Sequence, residues 1–218
     1  MHSRLKEFLN SQRINSMAPS VTVLVVPHML NRCNFGMPAR ERLTDFTTHF
    51  SFIIKAVDVS WHGDGISFFI APFESNIPNS SGGYLALFSA ESANKTSQNQ
   101  IVAVEFDSYK NDWDPSDDHV GINVNSIVSA TNVSWNSSIK NGSQANAWIS
   151  YNSTTKNLSV FLTYANNPVF GGNSSLSYII DLRSVSPPLQ VIGLSYIQYN
   201  RGHSIQAWRL KIETRKTN

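Results

Sequence analysis

The chain has 218 residues, enough for one large β domain with a substantial buried core. Charged residues make up 15% of it, and the formal net charge of +2 hides a division: between residues 44 and 200 twelve acids face six bases, while the remaining bases collect at the ends. An acidic body argues against nucleic acid as a partner, and a single cysteine, Cys33, excludes an internal disulfide framework.

In chain order, residues 1–43 carry little pattern. Lys6 to Asn10 reads as the start of a short helix and Val21 to Val26 as a strand. The latter run is ended by Pro27 and is too brief to span a bilayer, so no membrane span is expected in this chain. From Thr44 the texture changes: Phe46, Thr48, Phe50, Phe52 and Ile54 alternate with polar neighbours, which marks a half-buried strand. Further strands are expected at Ile66 to Ala71, Tyr84 to Phe88, Ile101 to Asp107, His119 to Val124, Ala145 to Tyr151, Leu158 to Tyr164, Ser177 to Leu182, Val191 to Ser195 and Ile205 to Ile212. Asn-, Ser-, Gly- and Pro-rich turns separate them, and no amphipathic helix follows residue 43. Many short strands with frequent turns predict an all-β fold, an antiparallel two-sheet jelly-roll sandwich. It has three parts: a divergent N-terminal segment over 1–43, the domain over 44–212 and a basic tail over 213–218.

Asn-x-Ser/Thr acceptors stand at Asn79, Asn94, Asn132, Asn136, Asn141, Asn152, Asn157 and Asn173, a density that suits an extracellular glycoprotein. Met1 to Ser20 lacks the apolar core of an export signal, so the chain reads as a secreted domain without one.

The most informative stretch is Glu105 to His119. Glu105 and Asp107, two residues apart on a predicted strand, point to one side of a sheet. An acidic loop with Asn111 and Asp114 follows, and His119 opens the returning strand. Glu105 comes after Ile101, Val102, Ala103 and Val104, and a charge in so apolar a setting is seldom buried unless paired or ligated. Hard oxygens suit Ca²⁺, and an added imidazole suits a transition ion such as Mn²⁺. The stretch therefore reads as a metal site, single or double, whereas Asp117 and Asp118 read as solvated.

Two glycine-rich segments complete the constellation. Gly63-Asp64-Gly65, after His62, places a carboxylate where backbone can approach a ligand closely, and Ser81-Gly82-Gly83-Tyr84 offers an unencumbered amide at Gly83. Tyr109 adds an aromatic face. A carboxylate acceptor, an amide donor and a ring are what the hydroxyls and apolar face of a sugar require.

The segments Gly63-Asp64-Gly65 with Phe68-Phe69, Gly82-Gly83-Tyr84-Leu85, Val102 to Asp107, Trp113-Asp114-Pro115 and His119 to Ser126 resemble a legume (L-type) lectin domain, with the concanavalin A-like sandwich. Their wording, including Arg42 to Ile54, is closest to the extracellular domain of plant lectin receptor kinases. The resemblance covers about residues 40 to 195. It implies that Glu105, Asp107, Asp114 and His119 hold Mn²⁺, with Ser129 reaching it through water. It implies Ca²⁺ on Asp107, the carbonyl of Tyr109, Asn111 and Asp114. Asp64, the amide of Gly83 and the side chain of Asn111 would bind the hydroxyls of a saccharide or glycan, with Tyr109 stacking on its ring. It also implies a cis Gly63–Asp64 peptide, a cell-wall-facing or extracellular location, and a fold that admits a homodimer through the sheet.

The chain departs from the family pattern at both ends. Residues 1–43 lack the aromatic and Asn-rich opening strand, and Ser195 to Asn200 is bulkier than the small-residue loop that supplies a fourth sugar contact. Two other readings stand beside this one. A degenerate lectin fold would serve as an interaction module without sugar. A jelly-roll glycoside hydrolase of the laminarinase kind also has Glu-x-Asp on a strand, but needs another Glu two or three residues later. Tyr109 and Lys110 occupy those places and cannot do that work, so a non-catalytic protein is expected.

Overall fold

The computed structural model describes residues 8–12, 20–26, 45–56, 63–72, 75–76, 78, 80, 82–136, 142–170, 174–185, 190–198 and 203–215. His62, Ser81, Thr44 and the glycosylation acceptors Asn79, Asn141 and Asn173 lie outside them.

Twelve strands are formed among the described residues: β1 (Phe8–Gln12), β2 (Ser20–Val26), β3 (Asp45–Ala56), β4 (Gly65–Pro72), β5 (Val102–Asp107), β6 (His119–Val124), β7 (Ser129–Ser134), β8 (Gln144–Asn152), β9 (Asn157–Thr163), β10 (Leu176–Ile179), β11 (Gln190–Gln198) and β12 (His203–Arg215). They make a seven-stranded sheet, in the order β1-β2-β11-β4-β5-β6-β7, and a five-stranded sheet, in the order β10-β9-β8-β3-β12. The pairings are antiparallel throughout. This is the jelly-roll sandwich expected from the strand pattern.

The alternation in β3 is realised as written: Phe46, Thr48, Phe50, Phe52 and Ile54 are buried and the residues between them are not. They meet Ile66, Phe68 and Ile70 of β4, Val104 and Phe106 of β5, and Ala147 and Ile149 of β8 in the core between the sheets. The rings of Phe50 and Phe106 pack edge to face at 5.9 Å, a favoured arrangement for their quadrupoles.

A second apolar cluster covers the outer face of β4 and β5. Phe69, Ala71 and Ala103 meet Leu85, Ala86, Leu87, Phe88, Ala93 and Ile127 from the 82–101 and 125–128 segments. With both faces covered, β5 is buried along its whole length, and its sequence is accordingly continuous rather than alternating.

Ser195 to Gln198, set by the resemblance in the place of a sugar-contact loop, continues β11 because it is paired with β2, and Tyr199 and Asn200 lie outside the described residues. Four other local expectations change. Phe8–Gln12 is a strand and not the beginning of a helix, because it pairs along β2, which in turn pairs with β11; ladder hydrogen bonds override the weak local preference. Tyr84 to Phe88 is a turn. Gly82–Tyr84 forms one 3₁₀ turn, and Leu85 and Ala86 follow with φ of 52° and 59°, which no extended strand allows. Leu182 belongs to a single helical turn, α1 (Leu182–Val185), capped by Asp181, whose Oδ1 accepts from the backbone N–H of Arg183 at 3.1 Å. Finally β7 was not foreseen: in Ser-Ala-Thr-Asn-Val-Ser only Val133 packs against the core.

Candidate metal and ligand site

The site grows from the end of β5. Asp107 lies directly opposite His119 in the β5–β6 ladder, and Glu105 opposite Gly121, so the three side chains of Glu105, Asp107 and His119 share one face. One ligand atom from each of the three lies within 4.8 Å of the others, and all three are buried. Glu105 is held by its neighbours. Its Oε1 accepts from Ser129 Oγ and lies 3.2 Å from His119 Nε2, and its Oε2 accepts from Asn123 Nδ2 at 3.2 Å. Asn123 is itself fixed to the carbonyl of Ile127 at 2.7 Å.

Asp114 comes from the loop after β5 and is also buried. Its Oδ2 accepts from the amide of Asn111 at 2.7 Å, its own amide donates to the Asn111 carbonyl at 3.1 Å, and its Oδ1 stands 3.9 Å from His119 Nε2. The Tyr109 amide donates to Asp107 Oδ1 at 2.8 Å, which folds the loop back over the end of the strand.

Asp64, buried at the entrance to β4, follows a cis Gly63–Asp64 peptide. Its carbonyl accepts from both the amide and the hydroxyl of Ser108, at 2.9 and 2.7 Å, which ties β4 to the loop after β5. Gly83 is packed against Asn111, where a Cβ would stand 2.6 Å from Asn111 Cγ. The turn carrying Gly83 is also clamped by Tyr84, whose ring stacks on Trp113 at 5.1 Å. The Tyr109 ring lies against Gly63 and is 47% exposed, the most accessible aromatic face beside these groups. All the residues singled out in the sequence, Asp64, Gly83, Glu105, Asp107, Tyr109, Asn111, Asp114, His119 and Ser129, therefore meet around one loop.

Among the described residues the basic group in ion-pair range of Glu105 and Asp114 is His119. Burial, aided by the Asp114 charge, pushes the Asp64 carboxyl up to about 6. Burial and the nearby Glu105 carboxylate push Asp107 well above the usual range. Burial likewise raises Asp114 to about 6 against the pull of the Asn111 amide. For His119 burial acts downward, but the hydrogen bond and charge of Glu105, with that of Asp114, outweigh it and raise the imidazole.

Buried carboxylates under such pressure neutralise unless a cation is present. Asp107 Oδ2, Asn111 Oδ1 and Asp64 Oδ2 are buried and have no hydrogen-bond partner. Asp107 and Asn111 thus present oxygen atoms with their lone pairs free, as a hard cation requires. The donor set fits metal ions.

Two residues of the site escaped the sequence reading. Gly121 is a cradle: a Cβ there would collide with the Ser129 hydroxyl and the Glu105 carboxylate. Asn123 orients Glu105. A signal for both was present, since they sit at i+2 and i+4 from His119 on an alternating strand and so face the same side.

Fold and site together define a concanavalin A-like sandwich with a buried carboxylate-histidine cluster, able to hold a metal ion, beside an open aromatic. A Legume lectin domain model matches residues 27–218, and the chain belongs to that family. It is 46% identical to Lectin 7 of Medicago truncatula over 203 residues, covering 86% of this chain and 76% of that one. Against Lectin 8 of the same plant the identity is 40% over 176 residues, covering 77% of this chain and 64% of the relative. The solved lectin from Bauhinia forficata, in complex with GalNAc, superposes with a TM-score of 0.76 at 32% identity, covering 99% of this chain and 90% of that one. Legume lectins are carbohydrate-binding proteins that hold metal ions.

Proposed function

We propose that this domain binds a saccharide without catalysis, in a shallow site formed by Asp64, Gly83, Tyr109 and Asn111 and organised by two ions. Glu105, Asp107, Asp114 and His119 would hold Mn²⁺, with Ser129 acting through water; Asp107, the Tyr109 carbonyl, Asn111 and Asp114 would hold Ca²⁺. When bound, the ions supply positive charge that keeps the carboxylates ionised and the loop in place. The observations that support this most are the free Oδ2 of buried Asp64, whose carbonyl is tied to Ser108, and the contact of Gly83 with Asn111 of the same loop. An ionised carboxylate can accept from sugar hydroxyls there, while Asn111 and the Gly83 amide donate and Tyr109 covers the apolar face.

The same reading makes the domain the glycan-sensing part of an extracellular or cell-wall-facing receptor of the lectin receptor kinase kind, with residues 44–212 as its core and a homodimer through the sheet. The test is an array of immobilised glycans that includes N-acetylgalactosamine, the sugar in the Bauhinia complex. It is run on the folded domain with Ca²⁺ and Mn²⁺ and again with EDTA. Binding that is present with ions and absent with EDTA is expected; binding that survives EDTA would remove the metal dependence. No binding with ions would instead favour the degenerate interaction module.

A further inference from the structure

One row of register crosses the seven-stranded sheet beneath the site. Ser195 of β11 pairs with Ser67 of β4, Ser67 with Glu105 of β5, and Glu105 with Gly121 of β6. The metal carboxylate and a pair of serines therefore share one face of the sheet. Both hydroxyls are fully buried and lie 2.7 Å apart, and Ser195 Oγ donates to the carbonyl of Leu85, also at 2.7 Å. Ser195 has one proton and it goes to Leu85, so Ser67 must donate to Ser195. The chain of hydroxyls thus has a single orientation and ends on the turn that presents Gly83.

That turn needs holding. Leu85 and Ala86 both have left-handed backbones, a conformation disfavoured for residues with a Cβ and kept only where the surroundings impose it. Ala86 N–H donates to Ser80 Oγ at 3.1 Å, and Tyr84 leans on Trp113 of the metal loop. Ser195 supplies the hydrogen bond in this set that joins the turn to the sheet, beside the apolar packing of Leu85 and Ala86 on Phe69, Ala71 and Ala103. We propose that Ser195, oriented by Ser67, is a positioning residue of the ligand site: by holding Leu85 it sets where the Gly83 amide stands relative to Asp64 and Asn111. This rests on the saccharide-binding reading above. Loss of the hydroxyl would leave a buried carbonyl without its donor and loosen the turn, whose apolar packing against Phe69, Ala71 and Ala103 would remain, with the metal ligands untouched.

The experiment uses the ion-loaded chain and its Ser195→Ala and Ser195→Cys variants. It measures amide hydrogen exchange over residues 82–88, metal content, and binding to those array glycans that the wild type retains. In Ser195→Ala, exchange at 82–88 should rise at least tenfold and glycan binding fall at least fivefold. Both ions and the exchange of 102–107 and 119–124 should stay at wild-type values. Cys, a near-isosteric but weaker donor, should fall between. Should Ser195→Ala fail to fold, Ser67→Ala, which keeps the bond to Leu85 but frees its orientation, is expected to show the same local rise on a smaller scale. Unchanged exchange at 82–88, or a rise spread evenly over the sheet, would overturn the proposal. Unchanged binding in Ser195→Ala, where Asp64→Asn has lost it, would also overturn it while leaving the saccharide site standing. If wild type binds no glycan, the saccharide reading fails, and the exchange measurement still decides whether Ser195 holds the turn.

Discussion

Gly83 makes room for Asn111. A Cβ on residue 83 would stand 2.6 Å from Asn111 Cγ and 2.8 Å from its Nδ2, closer than real Cβ contacts come. The amide of one residue and the carboxamide of the other can face a common ligand because position 83 has no side chain.

Gly83→Ala should therefore push Asn111 aside. Glycan binding is expected to fall at least tenfold, about 1.4 kcal/mol, with the sandwich intact by circular dichroism. A variant that binds as well as wild type would show that Asn111 is not a ligand contact.

Asp64→Asn keeps the shape of the side chain and removes its charge. Metal content and folding should survive, because Asp64 contributes its carbonyl, and not its Oδ2, to the bonds with Ser108. Glycan affinity should drop tenfold or more, about 1.5–3 kcal/mol for a hydrogen bond to a charged group. Titration by isothermal calorimetry measures this, and an unchanged affinity places the sugar elsewhere.

Asp107 and Asp114 are the two proposed ligands of both ions, and Asp107, the more deeply buried, should be the more sensitive position for the metals. Asp107→Ala is expected to carry neither ion by elemental analysis. It should also lose the added thermal stability that ions give wild type, about 2.7 kcal/mol at a hundredfold excess over Kd. Wild type that carries no ion after purification with both present would make the site vestigial.

Gly121→Ala tests the cradle from the other side. The added methyl meets the Glu105 carboxylate and the Ser129 hydroxyl, so the transition-metal ion should be lost before the calcium ion. Separate quantification of manganese and calcium distinguishes this from general unfolding, in which both disappear together.

The buried carboxylates predict opposite pH responses with and without ions. Asp64 and Asp114 are raised to about 6 in the fold, and Asp107 is raised well above 3.8. A raised folded pKa gives stability that is complete below the unfolded value and lost as pH rises through the folded one. The EDTA-treated protein should accordingly lose thermal stability between about pH 4 and about pH 6. Asp181, held far below its usual value by Arg183 and Lys156, changes stability only in more acidic solution and does not mask this. With saturating Ca²⁺ and Mn²⁺ the ionised carboxylates are the binding form, so Tm should rise over the same interval. Parallel melting curves for the two samples would contradict the assignment of the cluster as a cation site.

Much of the molecule was legible because periodicity reports which way side chains face. Phe46 to Ile54 alternate, and β3 buries those residues; Glu105, Asp107 and His119 occupy in-phase positions on adjacent strands, and their side chains converge. The pattern also sufficed for the all-β class, while the family resemblance came from particular motifs such as Gly63-Asp64-Gly65 and Trp113-Asp114-Pro115. Periodicity says nothing about what covers a face. Tyr84 to Phe88 is as apolar as a strand, yet it turns through two left-handed residues to roof the outer side of β4 and β5. Phe8 to Gln12 becomes a strand because β2 lies beside it, and β7 exists because β6 offers a ladder to a polar segment. The closeness of Asp64 to Ser108, of Gly83 to Asn111 and of Ser195 to Leu85 depends on contacts far apart in the chain. The sequence determined the donor chemistry and the face on which it would stand. The tertiary fold alone decided that chemistry's geometry, because the backbone of a turn and the approach of distant segments are set by burial and by hydrogen bonds that no local pattern encodes.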